Sequence, residues 1–314
     1  MLRKLIFTLM ISTLLLTTLT SCGQSDNKKD RHKLAIYTTV YPLEFFTEQI
    51  GGEYVKVQSI YPNGSDEHTF EPTQRDFIKL ADSELFFYIG FGVEGFVTKA
   101  KSILKNEKVK MVAIGEKVQI PKIEEPHEED SDEDTHNHAD EINPHIWLDP
   151  IYCIEMAETI KSELIKKVPT HQKDFEANFE ILKDKLIQLD QSYREVAKTS
   201  KTKEFLVSHA AFSYWETRYG LKQLPVLGLS TTDEPTQNQL KNLVELAKEH
   251  QLKIILVEQN ISEKITNIVK KEINGSTLPI HNLSILTEKD IKDHNDYFTI
   301  SEKNLKSLEK ALND

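Results

Sequence analysis

The chain has 314 residues, a formal net charge of -11 and two cysteines, Cys22 and Cys153. Ten of its carboxylates crowd between Glu124 and Glu141; without them the balance is close to neutral, no basic face is evident to neutralise phosphates, and nucleic acid is not expected as a partner. Beyond the N-terminal segment only Cys153 remains, which excludes an internal disulfide, and a chain of this size can be held by buried apolar surface alone.

In chain order, Arg3 and Lys4 precede an apolar run from Leu5 to Leu16, which Leu19-Thr20-Ser21-Cys22 closes. This reads as an export signal over 1–21, too short for a comfortable membrane span. The small residues before Cys22 resemble a lipoprotein signal, in which Cys22 becomes the lipidated first residue; a plain cleaved signal is the alternative. One acyl chain anchors weakly, so a lipidated Cys22 is expected to carry several, palmitate among them, and to tether the chain to the bilayer. Residues 22–32 then read as a flexible tether.

From residue 33, short apolar runs alternate with helical patterns. "KLAIYTTVYP", "YVKVQSIYP", "ELFFYIGFG" and "VKMVAIG" read as strands of an N-terminal lobe over 33–168. "EFLVSHAAF", "LKQLPVLGL", "LKIILVEQN" and "STLPIHNLSIL" read as strands of a C-terminal lobe over 200–314. Repeated strand–helix units predict an α/β fold with two lobes built on parallel sheets. Between them, Phe175, Phe179, Leu182, Leu186, Leu189, Tyr193 and Val196 recur at steps of four and three, behind a Pro169 suited to a first turn. The pattern predicts one long amphipathic helix over 169–199, roughly 45 Å at 1.5 Å per residue. Such a helix joining the lobes would resist large hinge closure and leave a nearly preformed cleft; a surface helix of one larger domain is the alternative.

Ligands in open α/β sheets bind beyond the carboxyl ends of the strands. Three histidines fall where strand candidates give way to turns or helices: His68 in "NGSDEHTFEPT", His145 in "NPHIWLDP" and His209 in "FLVSHAAFSYW". Any one alone is better read as a hydrogen-bonded or surface histidine. Three in equivalent contexts point to a metal, since imidazole suits late first-row divalent ions and three imidazoles with one oxygen suit zinc.

At these residues the sequence resembles a family. "EHTFEPTQRD", "NPHIWLDP", "LVSHAAFSYW" and "HNLSILTEKDI" together resemble the metal-binding lipoproteins of ABC importers, in particular the zinc-uptake branch of cluster A-I, over about 33–310. The resemblance implies two α/β lobes joined by a rigid linking helix. It implies one zinc ion held between them as transported ligand by His68, His145 and His209, and a membrane permease as partner. It further implies a lipid-anchored monomer on the extracytoplasmic face of the cell membrane and no enzymatic activity. Relatives often place a carboxylate where this chain has Ser284, and a neutral hydroxyl is a poor zinc ligand. Water or Glu67, beside His68, is the expected fourth donor, with Glu258 and Glu288 as further candidates. A third imidazole with the acid missing favours zinc over manganese, which prefers oxygen donors.

The acidic segment, about 121–142, carries His127, His136 and His138 and has too few apolar residues to order itself. A solvated insertion is one reading. Resemblance to zinc-uptake lipoproteins, where such loops recur, implies low-affinity metal collection beside the site. Asp149 before Pro150 reads as a helix N-cap. Glu71-Pro72 and Glu234-Pro235 read as helix starts, and Trp147 and Trp215 as wall or core. His281 and His294 read as outer or surface groups. Besides a manganese-binding member of the same family, the alternatives are a surface adhesin, which leaves no motif, and a zinc hydrolase. The hydrolase reading lacks both a His-Glu-x-x-His helix and an evident general base.

Overall fold

The structure, a computed structural model, describes residues 33–121, 142–259 and 261–314. The signal predicted over 1–21, Cys22 and the tether predicted over 22–32 lie outside the described residues, as do His127, His136 and His138. No helix among the described residues is long and apolar enough to cross a membrane.

Each of the eight predicted apolar runs forms a strand. β1 (Leu34–Thr38), β2 (Val55–Ser59), β3 (Leu85–Tyr88) and β4 (Lys110–Ala113) make one parallel sheet in the order β2-β1-β3-β4. β5 (Glu204–His209), β6 (Lys222–Leu227), β7 (Ile254–Glu258) and β8 (Ser276–Ile280) make a second in the order β6-β5-β7-β8. All four residues of β3 are buried, as expected of a parallel sheet covered on both faces. In the second sheet the order reverses between β5 and β7, and both strands end there in a polar residue, His209 and Glu258. That is the topological switch point at which open α/β sheets bind ligands.

The helices are α1 (Tyr41–Gly51), α2 (Gln74–Ala81), α3 (Val97–Ile103), α4 (Pro150–Lys167) and α5 (Gln172–Thr199), followed by α6 (Ser213–Tyr219), α7 (Gln237–Glu249), α8 (Glu263–Glu272), α9 (Glu288–Lys292) and α10 (Tyr297–Ala311). α4 begins as the sequence predicts: the Asp149 carboxylate accepts from the N–H groups of Ile151 and Tyr152, and Pro150 occupies the first turn. Near Glu71-Pro72 and Glu234-Pro235 the helices start slightly later. There Thr73 and Thr236 form capping boxes with Asp76 and Gln239, because their hydroxyls reach the free N–H groups that a proline only precedes.

α5 is the long linking helix. Its 28 residues contain neither Gly nor Pro, so nothing breaks the hydrogen-bond ladder until Ser200 turns extended; Pro169–His171 forms a separate 3-10 turn ahead of it. Phe175, Phe179, Leu182, Leu186, Leu189 and Tyr193 are buried along one face. At about 2 kcal/mol per side chain this stripe contributes on the order of 10 kcal/mol before chain entropy is set against it. It packs on α1 and α4 from the first half of the chain and on α6 and α10 from the second, so one apolar cluster runs through both lobes. A smaller cluster lies between the second sheet and its outer helices, around Leu206, Val226, Val244 and Val269.

Two loops at the strand ends depend on backbone freedom. Gly90, Phe91 and Gly92 all have positive φ, wrapping the chain so that the buried Glu94 carboxylate accepts from Thr39 Oγ1 (2.8 Å) and from the N–H groups of Ile89 (2.7 Å) and Gly90 (3.0 Å). At Gly115 a Cβ would lie 2.6 Å from the Ile89 carbonyl and 2.9 Å from Ile146 Cδ1, so only glycine lets the end of β4 pass this close to the turn carrying His145.

Candidate metal centre

The three histidines named from sequence come together. Nε2 of His145 is 3.3 Å from Nε2 of His68 and 3.3 Å from Nε2 of His209. One nitrogen from each of the three lies within 4.8 Å of the others, so the group could hold a metal ion. His145 and His209 are fully buried and His68 nearly so.

Each reaches the site on a different support. His209 is the last residue of β5, and its Nδ1 lies 2.7 Å from Glu258 Oε1. The same oxygen accepts from Ser208 Oγ at 2.6 Å and from the His209 N–H at 3.3 Å. His145 precedes a 3-10 turn over Ile146–Leu148, with its Nδ1 2.7 Å from Asn143 Oδ1. Neither acceptor oxygen can donate, so both imidazoles carry their proton on Nδ1 and present an Nε2 lone pair to the site. His68 sits in the loop after β2, where Asp66 Oδ1 accepts from the His68 N–H at 2.8 Å and from Thr69 N–H at 3.2 Å.

Electrostatics separate the three rings. Burial, and then the proximity of His209 and His68, holds His145 well below its ordinary pKa; burial, then His209, lowers His68. Burial acts in the same direction on His209, but the Glu258 carboxylate, together with Glu67 and Asp66, outweighs it and raises that ring above the ordinary value.

Glu67 lies beside this group. It is 4 % exposed, its Oε1 is 4.0 Å from His68 Nε2, and it accepts from Asn282 Nδ2 at 3.1 Å. Burial pushes its carboxyl up to about 7. Ser284 is buried, but its hydroxyl donates to Asn282 Oδ1 at 2.7 Å. Glu258, one of the fourth-donor candidates, lies behind His209 rather than beside the cluster of Nε2 atoms, and its Oε1 is occupied by His209 Nδ1. Glu288 is exposed in the first turn of α9. His281 pairs with Asp290 at 3.3 Å and His294 is exposed. Trp147 is buried with its ring centroid 5.1 Å from that of His145, forming a wall of the site, and Trp215 is core.

Sequence reasoning missed what holds the "NPHIWLDP" turn. It belongs to the first half of the chain, yet several of its polar groups bond to the second lobe. Asn143 Nδ2 donates to the Ala210 carbonyl and to Ser213 Oγ. Trp147 Nε1 donates to the Asn282 carbonyl at 2.6 Å, Trp215 Nε1 to the Leu148 carbonyl at 2.9 Å, and Tyr297 Oη to the Trp147 carbonyl at 3.0 Å. Arg218 Nε lies 2.7 Å from Asp149 Oδ2. His145 and His209 thus share one support, and His68 with Glu67 arrives on another.

The chain resembles known zinc proteins over nearly its whole length. It is 34% identical over 304 residues to the zinc-binding lipoprotein AdcA of Streptococcus pneumoniae (strain ATCC BAA-255 / R6), covering 96% of this chain but 60% of that one; the chain thus spans about three-fifths of the length of that relative. It is 32% identical over 290 residues to the high-affinity zinc uptake system protein ZnuA of Bacillus subtilis (strain 168), covering 92% of this chain and 90% of that one. The crystal structure of the Zn(II)-bound ZnuA-like domain of Streptococcus pneumoniae AdcA superposes with a TM-score of 0.74 at 32% identity, covering 90% of this chain and 100% of that domain. Residues 36–311 match the model of the zinc-uptake complex component A (ZnuA) family, and the chain belongs to that family.

Proposed function

We propose that this protein captures one zinc ion outside the cytoplasm, through His68, His145 and His209, and delivers it to an ABC permease. One observation carries the reading. Three imidazole nitrogens converge within 4.8 Å of one another, and the two spacings from His145, to His68 and to His209, are 3.3 Å, the edge length of a tetrahedron whose zinc–nitrogen bonds are about 2.0–2.1 Å. Glu67 is the fourth donor that best fits the position, because it is buried beside His68 and its burial cost falls when a cation approaches. Ser284, a neutral hydroxyl that donates to Asn282, is the poorer donor. Imidazole-rich ligation suits zinc over manganese.

The chain's own residues do three things for the ion. Asn143 and Glu258 fix the tautomers of His145 and His209, so zinc meets two lone pairs already aimed. The Asp66 loop brings His68 and Glu67 from the opposite wall. Protons compete with zinc for the imidazole nitrogens, hardest at His209, so affinity depends on pH. Release follows when the permease separates the two supports, since a partner shifts the equilibrium only by its differential affinity for the two arrangements.

In this reading residues 1–21 are a lipoprotein signal, Cys22 carries the lipid anchor, and 22–32 tether the lobes 33–168 and 200–314, joined by the helix predicted over 169–199, to the membrane surface. His127, His136 and His138 in the segment about 121–142 collect zinc weakly near the cleft. The test is metal competition on the mature domain, zinc against manganese, with elemental stoichiometry beside the alanine variants of His68, His145 and His209. One tight zinc lost in each variant supports the reading. Tight manganese, or tight zinc indifferent to all three substitutions, sinks it.

A further inference from the structure

His145 and His209 are held from behind by chemically unlike groups. Asn143 gives His145 a neutral amide oxygen, whereas Glu258 gives His209 a carboxylate. The Glu258 and His209 side chains are both 0% exposed. Among the described residues no lysine or arginine pairs with Glu258, and its second oxygen, Oε2, has no hydrogen-bond partner. A carboxylate buried this way is costly unless positive charge compensates it. Among the described residues the cationic partner within reach is the imidazole of His209, which runs from Nδ1 at the carboxylate to Nε2 in the site.

We infer that Glu258 is a positioning residue that sets the affinity for zinc, acting as a buried counter-charge through His209 and making the occupied site more stable than the empty one. The inference rests on the zinc reading above. Its logic is reciprocal: a metal on Nε2 polarises the ring and strengthens Nδ1–H···Oε1, while the carboxylate raises the basicity of the ring toward the metal. Without the metal, and with His209 neutral, the same carboxylate remains inside the fold with neither a cation nor a partner for Oε2. Glu258 therefore favours binding at the expense of the empty protein.

That opposition of signs makes the test specific. Glu258→Gln removes the charge but leaves an amide oxygen that can accept Nδ1–H. The expected result is zinc affinity weakened about 10–100-fold, with an unchanged tetrahedral absorption of the cobalt-substituted protein. The metal-free variant, above the pH at which His209 carries a proton, is expected to be at least as resistant to urea as wild type. A carboxylate that only packed would instead lower stability along with affinity, and that result overturns the inference. Wild-type affinity in Glu258→Gln, with zinc still lost in His209→Ala, overturns this inference alone. Zinc retained in His209→Ala overturns the site reading and this inference with it. Should Glu258→Gln fail to fold, the imidazole nitrogen shifts of wild-type His209 decide: a proton on Nδ1 in the zinc-bound and the neutral metal-free protein supports the inference, and a proton on Nε2 of the neutral ring refutes it.

Discussion

Nε of Arg218, on α6, lies 2.7 Å from Oδ2 of Asp149, the residue that caps α4. The other oxygen of the same carboxylate accepts the first N–H groups of α4, so one buried side chain both starts a helix in the first half of the chain and ties it to the second lobe. Arg218→Ala leaves that carboxylate, 1 % exposed, without its cation. The expected cost is about 2 kcal/mol, at the low end for a buried pair because Arg218 is itself partly exposed. The turn carrying His145 loosens with it, so zinc affinity is expected to fall about tenfold, equivalent to about 1.4 kcal/mol. Urea denaturation and a competing chelator check the two effects. Arg218→Lys, which keeps charge but not fork geometry, should recover only part of each.

Across the mouth of the site, Thr231 Oγ1 donates to Asp66 Oδ2 at 2.8 Å, while Oδ1 of that aspartate holds the backbone of His68. This bond joins the loop of His68 to the lobe that supports the other two histidines. Thr231→Val removes it at nearly constant volume. With a net worth of about 0.5–1.5 kcal/mol for such a bond, zinc should leave roughly 2–10-fold faster, read by stopped-flow chelation. An unchanged off-rate would show that the bond does not restrain His68.

The three histidines titrate in opposite senses, and the signs can be worked out. His145 has its folded pKa depressed, so below about 6.5 the unfolded chain takes up a proton that the fold refuses. Its contribution to stability is therefore present above 6.5 and lost as pH falls from there towards the folded value. His209 has its folded pKa raised; its contribution is complete below about 6.5 and lost as pH rises through the folded value. For zinc the order is different, since protons compete hardest at His209. Affinity should begin to fall with acidification while pH is still above 6.5. His209→Ala should weaken binding and flatten that upper part of the profile, whereas His145→Ala should weaken binding but leave more of it. Chelator competition between about pH 5 and 8 measures both.

Much of this was readable before the fold was known, for reasons that can be named. Each strand is a short apolar run bounded by polar or turn residues, and α5 carries an uninterrupted apolar stripe at helical spacing. Three histidines stood at strand ends or turns, and their convergence followed from the α/β rule. The partners of the histidines were not readable. Glu258 bonds His209 from 49 residues away, and nothing local distinguishes a carboxylate facing a metal from one behind a ring. Trp147 finds Asn282 across 135 residues, so the attachment of the "NPHIWLDP" turn to the second lobe is a property of the assembled fold. Ser284 was legible as a missing acid, but its partner Asn282 was not.

Glu94 illustrates a stability requirement close to the strand ends. Three donors converge on its buried carboxylate, two on one oxygen and one on the other, and burial still pushes it up to about 7. Glu94→Gln keeps an oxygen for Thr39 and Ile89 but turns an amide N–H₂ towards the N–H of Gly90. Two donors then face each other in a site closed to water, so the variant should lose about 1–3 kcal/mol, visible as a lower urea midpoint of the metal-free protein. Because Glu94 belongs to the loop after β3 and not to the histidine cluster, zinc affinity under native conditions should stay within about twofold of wild type. A matching loss of affinity would mean that the strand-end loops and the metal site move as one body, and that His68 is less independent of the sheet than its separate support implies.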